Sequence, residues 1–339
     1  MKNGNEIVAL LGKASDDPEV LELLKQFAVR WPPELEVDDE DDELDEEPDW
    51  YVWRPSSPMG FEFGFQDEAH LKALPVEFRG LSPLVLSSVT FYGEHEGVLP
   101  YQGELPYGLT LEDSRAVVQE KLSVLGTKPR SHRRDVWDLP DYRIVVEHVP
   151  DRDIIGSVLF RLPLAPWPPL DEPPPALSSV KEILDLFGLA WYAPPMQEAF
   201  FPLGLDTCGP DIVRHQHADL RETHGIVLYF LRNPDEAPDS PIRNTGAALT
   251  GVRFFRARFR DARGWAGELP FGLSFDEAYP AFEEKIGRAP DSGRDESLSG
   301  YAVWRFPEFT LHLVYDNVDN VIFSVSLYRP GVWEEAKGR

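Results

Sequence analysis

The sequence predicts an α+β protein made of two tandem homologous domains, each an antiparallel sheet with helices packed on one face. Three observations carry this. Tyr101-Gln102-Gly103-Glu104-Leu105-Pro106-Tyr107-Gly108-Leu109-Thr110 returns 164 residues later as Trp265-Ala266-Gly267-Glu268-Leu269-Pro270-Phe271-Gly272-Leu273-Ser274. Each copy opens a helical pattern that stops at Gly-x-x-Pro, Gly126 to Pro129 and Gly287 to Pro290. Each stop leads to a Trp-led strand pair, Trp137-Asp138-Leu139-Pro140-Asp141-Tyr142 lying over Trp304-Arg305-Phe306-Pro307-Glu308-Phe309 at an offset of 167. A chain of 339 residues suits two cores of about 150 residues better than one.

The elements follow in order. Leu10, Leu11, Val20, Leu23, Leu24 and Phe27 form an apolar stripe over roughly residues 6–28, broken at Ser15-Asp16-Asp17-Pro18. Asp17 is placed as an N-cap there, with Pro18 at the first helical position. Strands are expected at Trp50 to Trp53, Gly60 to Phe65 and Leu84 to Tyr92. In the repeated motif Gly103 and Gly108 supply backbone freedom and Pro106 fixes a turn. Thr110 with Asp113, and Ser274 with Glu277, fit reciprocal helix caps, predicting helices over about 111–125 and 275–286. Gly126 and Gly287 are left-handed stops. Ile144 to Val146 and Ile155 to Phe160 make a closing hairpin, as do Leu311 to Leu313 and Val321 to Leu327.

Seven prolines fall within Pro163 to Pro175, a stiff extended spacer. The expected organisation is therefore a first repeat at 1–164 and a linker at 165–176. A second repeat at 177–332 and a tail at 333–339 complete it. Ser179 caps the first helix of the second repeat. That repeat adds strands at Gly225 to Phe230 and Val252 to Phe255.

Composition excludes several classes. The single cysteine, Cys208, allows no internal disulfide, and no stretch of about 18 apolar residues spans a membrane. With no secretion signal read at the start, the expected location is the cytoplasm. The formal charge of −26 disfavours nucleic acid and anionic lipid as partners and favours a basic protein. The excess is concentrated: 12 of the 16 residues from Glu34 to Asp49 are Asp or Glu. This run is either a solvated loop or an electrostatic lure for a positively charged partner.

Catalytic and metal constellations were sought. His215, His217, His224 and Cys208 form the one cluster resembling metal ligation, with His215-x-His217 placed on a strand, but the spacing fits no common zinc module. No metal or cofactor is assigned. Cys208 reads as a structural thiol. Glu104 and Glu268 read as turn carboxylates that accept backbone N–H bonds, and Trp137 and Trp304 as core. Phosphate-binding glycine loops, the nucleophile elbow and the zinc-protease helix are all missing. Lys128 to Arg134 is the one basic cluster, read as solvated charge or as a contact for the acidic run.

The layout Tyr/Trp-x-Gly-Glu-Leu-Pro-Tyr/Phe-Gly-Leu, capped helix, Gly-x-x-Pro, Trp-x-x-Pro and final hairpin resembles a domain of immunity proteins from bacterial polymorphic toxin and type VI secretion effector systems. The likeness covers about residues 84–163 and 247–330. It implies a cytoplasmic protein, not an enzyme, that binds and neutralises a cognate toxin or effector domain by surface complementarity. Contact residues do not transfer from such a family. On this chain's own residues the expected partner-binding set is Asp38, Asp39, Glu40, Asp41, Asp42, Glu43, Asp45, Glu46 and Glu47 with Trp50 and Trp53, aromatic anchors beside carboxylates. The alternatives are an effector-loading adaptor or structural interaction module, and a metal-dependent enzyme using the histidine region of the second repeat. Oligomeric state is left open.

Overall fold

The computed structural model describes residues 3–29, 51–56, 59–75, 78, 82–93, 97–168, 179–232 and 247–333. For residues 51–56, 213 and 232 it describes the backbone alone. The chain divides into two compact units, Met1–Pro166 and Trp167–Arg339. Each holds an antiparallel sheet flanked by helices.

Unit one runs α1 (Gly4–Val8), α2 (Pro18–Gln26), β1 (Tyr51–Ser56), β2 (Phe61–Asp67), α3 (Glu68–Leu71), β3 (Leu84–Tyr92) and α4 (Arg115–Leu122). It closes with β4 (Arg130–Ser131), β5 (Arg134–Asp138), β6 (Arg143–Val149) and β7 (Ile154–Arg161). Asn3 and Glu6 make a capping box on α1, and Asp17 accepts from Glu19 N at 2.8 Å to start α2, with Pro18 at its first position. The sheet order is β1-β2-β3-β7-β6-β5-β4. The core face is strongly aromatic because alternate β2 residues are Phe61, Phe63 and Phe65, all fully buried. Phe27 from the end of α2 stacks on Phe61 at 4.8 Å, and Phe91 and Tyr101 close around the same ring. Offset and edge-to-face pairs of this kind each add about 0.5–1.5 kcal/mol beyond burial.

Unit two runs α5 (Val180–Asp185), α6 (Pro194–Phe200), α7 (Gly209–His215), β8 (His217–Leu220), α8 (Arg221–His224), β9 (Ile226–Arg232) and β10 (Ala247–Phe255). Then come α9 (Tyr279–Ile286), β11 (Ser292–Asp295), β12 (Ser299–Arg305), β13 (Thr310–Asp316) and β14 (Val321–Tyr328). Its sheet, read from β8, is β8-β9-β10-β14-β13-β12-β11, the same order as sheet one. Ladder irregularities also recur, at Glu147/His148 against Val314/Tyr315. Trp137 and Trp304 are buried in the two cores as expected, but they stand near the ends of β5 and β12 and do not open them.

Several expectations need correction. The helices after the repeated motif begin later, at Arg115 and Tyr279. Thr110 and Asp113 close a turn in front of α4 (Thr110 N to Asp113 Oδ2, 2.8 Å), and Ser114 is the actual cap. A lysine from each helix reaches back to that turn instead. Lys121 Nζ donates to Gly108 O at 2.8 Å and to Asp113, and Lys285 Nζ to Gly272 O at 2.5 Å and to Glu277. Gly126 and Gly287 do end these segments with left-handed φ of 71° and 79°. Gly103 serves by closeness, since a β-carbon there would run into the Tyr101 ring. The strain sits one residue before Gly108: Tyr107 has φ 59°, and Phe271 in unit two has φ 58°. Glu104 and Glu268 are exposed and act through their backbone; Gly4 N donates to Glu104 O at 2.8 Å and Trp265 Nε1 to Glu268 O at 3.2 Å.

Two residues just outside the expected second repeat pack against it. Trp167, placed in the linker, donates from Nε1 to Ala262 O at 2.8 Å beneath the Arg258 guanidinium. Trp333, placed in the tail, stacks on His312. Linker residues 169–176 and tail residues 334–339 lie outside the described residues.

Candidate functional site

The acidic residues Asp38, Asp39, Glu40, Asp41, Asp42, Glu43, Asp45, Glu46 and Glu47, with Trp50, lie outside the described residues. Trp53 is on β1, where its backbone pairs opposite Gly64. The segment carrying the acidic run therefore leaves from beyond Val29, whose N–H is held by Leu24 O at 2.9 Å, and arrives at β1, the outermost strand of sheet one.

The histidine region is corrected in one respect. His215 closes α7, Gln216 takes a left-handed φ of 60°, and His217 opens β8, so the pair straddles a helix end. Their rings are 5.9 Å apart, and His217 Nδ1 lies 3.2 Å from the His215 carbonyl. Burial lowers the pKa of His224. Among the described residues no three His, Cys, Asp or Glu side chains gather as a metal ion requires. Cys208 is buried, with Sγ 3.5 Å from Gly204 O, and burial pushes its thiol pKa up.

Of Lys128 to Arg134, Arg130 and Ser131 form β4 and Arg134 opens β5 in sheet one. Arg130 pairs with Asp138, which also accepts from Arg143 Nε at 2.6 Å, and Arg134 pairs with Glu147 at 2.9 Å. Burial works against the Asp138 carboxylate, yet the two guanidiniums hold its pKa below the ordinary value.

Two surfaces emerge that the sequence did not single out. On the face of sheet two away from its main core, Tyr229, Tyr328, Trp333, His312 and Tyr301 form a row of rings. Successive centroids are 6.0, 5.7, 4.1 and 5.7 Å apart. Gly251 makes the row possible by leaving β10 bare under Tyr328. Trp333, Tyr301 and His312 line a concavity of about 360 Å³, together with Arg294 on the outermost strand β11 and Glu296 just after it. Burial, with Tyr229 nearby, pushes Tyr328 up to about 12, so its hydroxyl stays protonated and able to donate. His312 is buried and the other four rings are half-buried, so the row presents partial ring faces and hydrogen-bond donors on the sheet. Period-two alternation was available as a signal, but it could not connect β9, β14 and residue 333 in space.

The second surface is the end of unit two where Phe271, Phe306 and Phe309 cluster, with centroids 4.9–6.4 Å apart and Phe271 41% exposed. In unit one the corresponding positions are Tyr107, Leu139 and Tyr142, and the Tyr107 and Tyr142 hydroxyls bond each other. Burial and that bond push the Tyr142 pKa far up.

Unit one also carries a buried ionic cluster. Asp135, fully buried on β5, accepts from Arg115 Nε at 2.9 Å and Nη2 at 2.5 Å and from Gln119 Nε2 at 3.0 Å. Desolvation opposes its charge, but these bonds hold its pKa below the ordinary carboxylate value. Comparison with protein-family models, curated proteins and solved structures finds no match.

Proposed function

We propose that the chain is an immunity-type binding protein, which neutralises a cognate toxin or effector domain by covering it and catalyses no reaction. The supporting observation is the ring row from Tyr229 to Tyr301 on the face of sheet two away from its main core, beside a concavity large enough for one partner side chain. Aromatic anchors on a fixed scaffold lose little side-chain entropy on binding and commonly dominate interface energetics. The net charge of −26 favours a basic partner and raises its encounter rate. The two units are read as copies of one ancestral domain. Shared strand order, paired ladder irregularities and the repeated Gly-Glu-Leu-Pro turn support that. On this reading the copies have diverged on their surfaces, with the acidic run in one and the aromatic row in the other.

The test is growth rescue. The chain is co-expressed with the toxic domain of the protein encoded beside it, and survival is scored against empty vector. Failure of rescue together with no complex on gel filtration overturns the proposal. Where a complex forms, replacing Asp38, Asp39, Glu40, Asp41, Asp42 and Glu43 by Ser or Asn slows association at low salt and flattens its salt dependence. An unchanged association rate removes the acidic run from the interface.

A further inference from the structure

We propose that His148 is an acid-sensing position which, on taking up a proton, loosens the joint between α4 and the β5–β6–β7 end of sheet one. His148 follows the ladder irregularity near the end of β6, and its side chain is only 8% exposed. Neither ring nitrogen has a hydrogen-bond partner at ordinary distance. The nearest anion is Asp135, whose Oδ2 lies 4.0 Å from Nε2 and is itself buried. That is too far for a hydrogen bond and too close for a protonated ring to ignore.

The surroundings explain why the ring is neutral as it stands. Facing it are Asp135 from β5, Arg115 from α4, and Asp153 with the Ile154 backbone from the β6–β7 turn. Asp135 is already committed to Arg115 and Gln119, and Asp153 accepts from the Arg115 backbone N–H at 3.0 Å. A proton on His148 puts a second cation beside Arg115, whose side chain is 36% exposed, against the fully buried Asp135 carboxylate. To pair with it, Asp135 must turn away from the helix, and otherwise the site must open to water. Either outcome weakens the Arg115–Asp135 tie between α4 and β5. Burial, the largest influence, keeps the imidazole pKa below its ordinary value, against the pull of Asp135.

The sign follows from linkage. The unfolded histidine binds a proton below about pH 6.5 while the folded one resists, so unit one loses stability as pH falls through that value and down to the folded pKa. The corresponding place in sheet two, after its own irregularity, holds Tyr315, whose ring lies 4.8 Å from Tyr279, with Ala302 where β5 has Asp135. Neither Tyr315 nor Ala302 is a residue whose ordinary pKa lies near neutrality.

The test is peptide-resolved hydrogen exchange on the full chain at pH 7.5, 6.5 and 5.5, corrected for intrinsic exchange, for wild type, His148→Gln and His148→Tyr. Below pH 6.5 the opening constant of wild-type peptides from α4, β5 and the β6–β7 hairpin should rise by up to about tenfold per pH unit relative to the variants. Peptides from unit two should respond identically in all three proteins. If a variant is not folded at pH 7.5 by circular dichroism, the other decides. The same pH response in wild type and variant overturns the proposal, as does a substitution effect of equal size in unit two.

Discussion

Gly251 lies under the ring of Tyr328, and a β-carbon at 251 would stand 2.6 Å from Tyr328 Cδ1 and 3.3 Å from the Leu327 carbonyl. The tyrosine sits on β14, the ladder neighbour of β10, and from there reaches both Tyr229 and Trp333. Replacing Gly251 by Val should cost about 1–3 kcal/mol, because the ring must leave its seat and break the row at its centre. Urea denaturation measures the loss, and near-ultraviolet circular dichroism reports the displaced rings. A variant within about 0.5 kcal/mol of wild type with an unchanged aromatic spectrum contradicts this account.

Arg115 and Asp135 should show the asymmetry of a pair buried on the carboxylate side only. Arg115→Met leaves a desolvated carboxylate held by neutral donors and open to some water, and should cost about 1–3 kcal/mol. Asp135→Asn should cost less in that background than alone, so a double-mutant cycle gives a coupling well above the ~0.5 kcal/mol of an exposed pair. Because the folded Asp135 pKa is depressed, the contribution of the pair is complete above the ordinary carboxylate value and fades as pH falls through the folded one. Additive single effects are the adverse result.

The Tyr107–Tyr142 hydroxyl bond should matter little to stability. Unit two keeps the same backbone turn with Phe271 and Phe309 at those places, so Tyr142→Phe should cost no more than about 1 kcal/mol. Its clearer signature is spectroscopic. In Tyr107→Phe the Tyr142 phenol, freed from its partner, should ionise at lower pH in an ultraviolet titration. No change in the tyrosine titration would show that the bond does not persist in solution.

Cys208 should behave as an inert thiol. It is 8% exposed at the start of α7, and burial raises its pKa. Iodoacetamide at pH 7.5 should label it slowly in the native protein and quickly in urea. Fast native labelling would indicate an accessible thiolate.

Much of the fold could be read from local signals. The Leu84–Tyr92 strand, the Asp17-Pro18 helix start and the Gly126 and Gly287 stops each depend on residues next to one another, and all are found in place. Capping was misread where two local rules competed. Thr110-x-x-Asp113 satisfies a capping pattern, but Pro106 and Gly108 already commit the chain to a short turn, and Ser114 supplies a later cap. The aromatic row was invisible because its members come from residues 229 to 333 and meet only through strand order and the bare backbone at Gly251. His148 was passed over for a similar reason: its partners are on α4, β5 and a turn, and no spacing in the sequence announces them.

The seat of Trp167 on Ala262 and Arg258 has a practical corollary for dissecting the chain. Arg263 also bonds the Pro168 carbonyl, so the first part of the apparent spacer is stitched to the loop after β10. A fragment started at residue 177 discards that clasp and uncovers Arg258, which is only 9% exposed in the intact protein. The second half should be expressed from just ahead of Trp167, where the cut leaves its indole anchor attached.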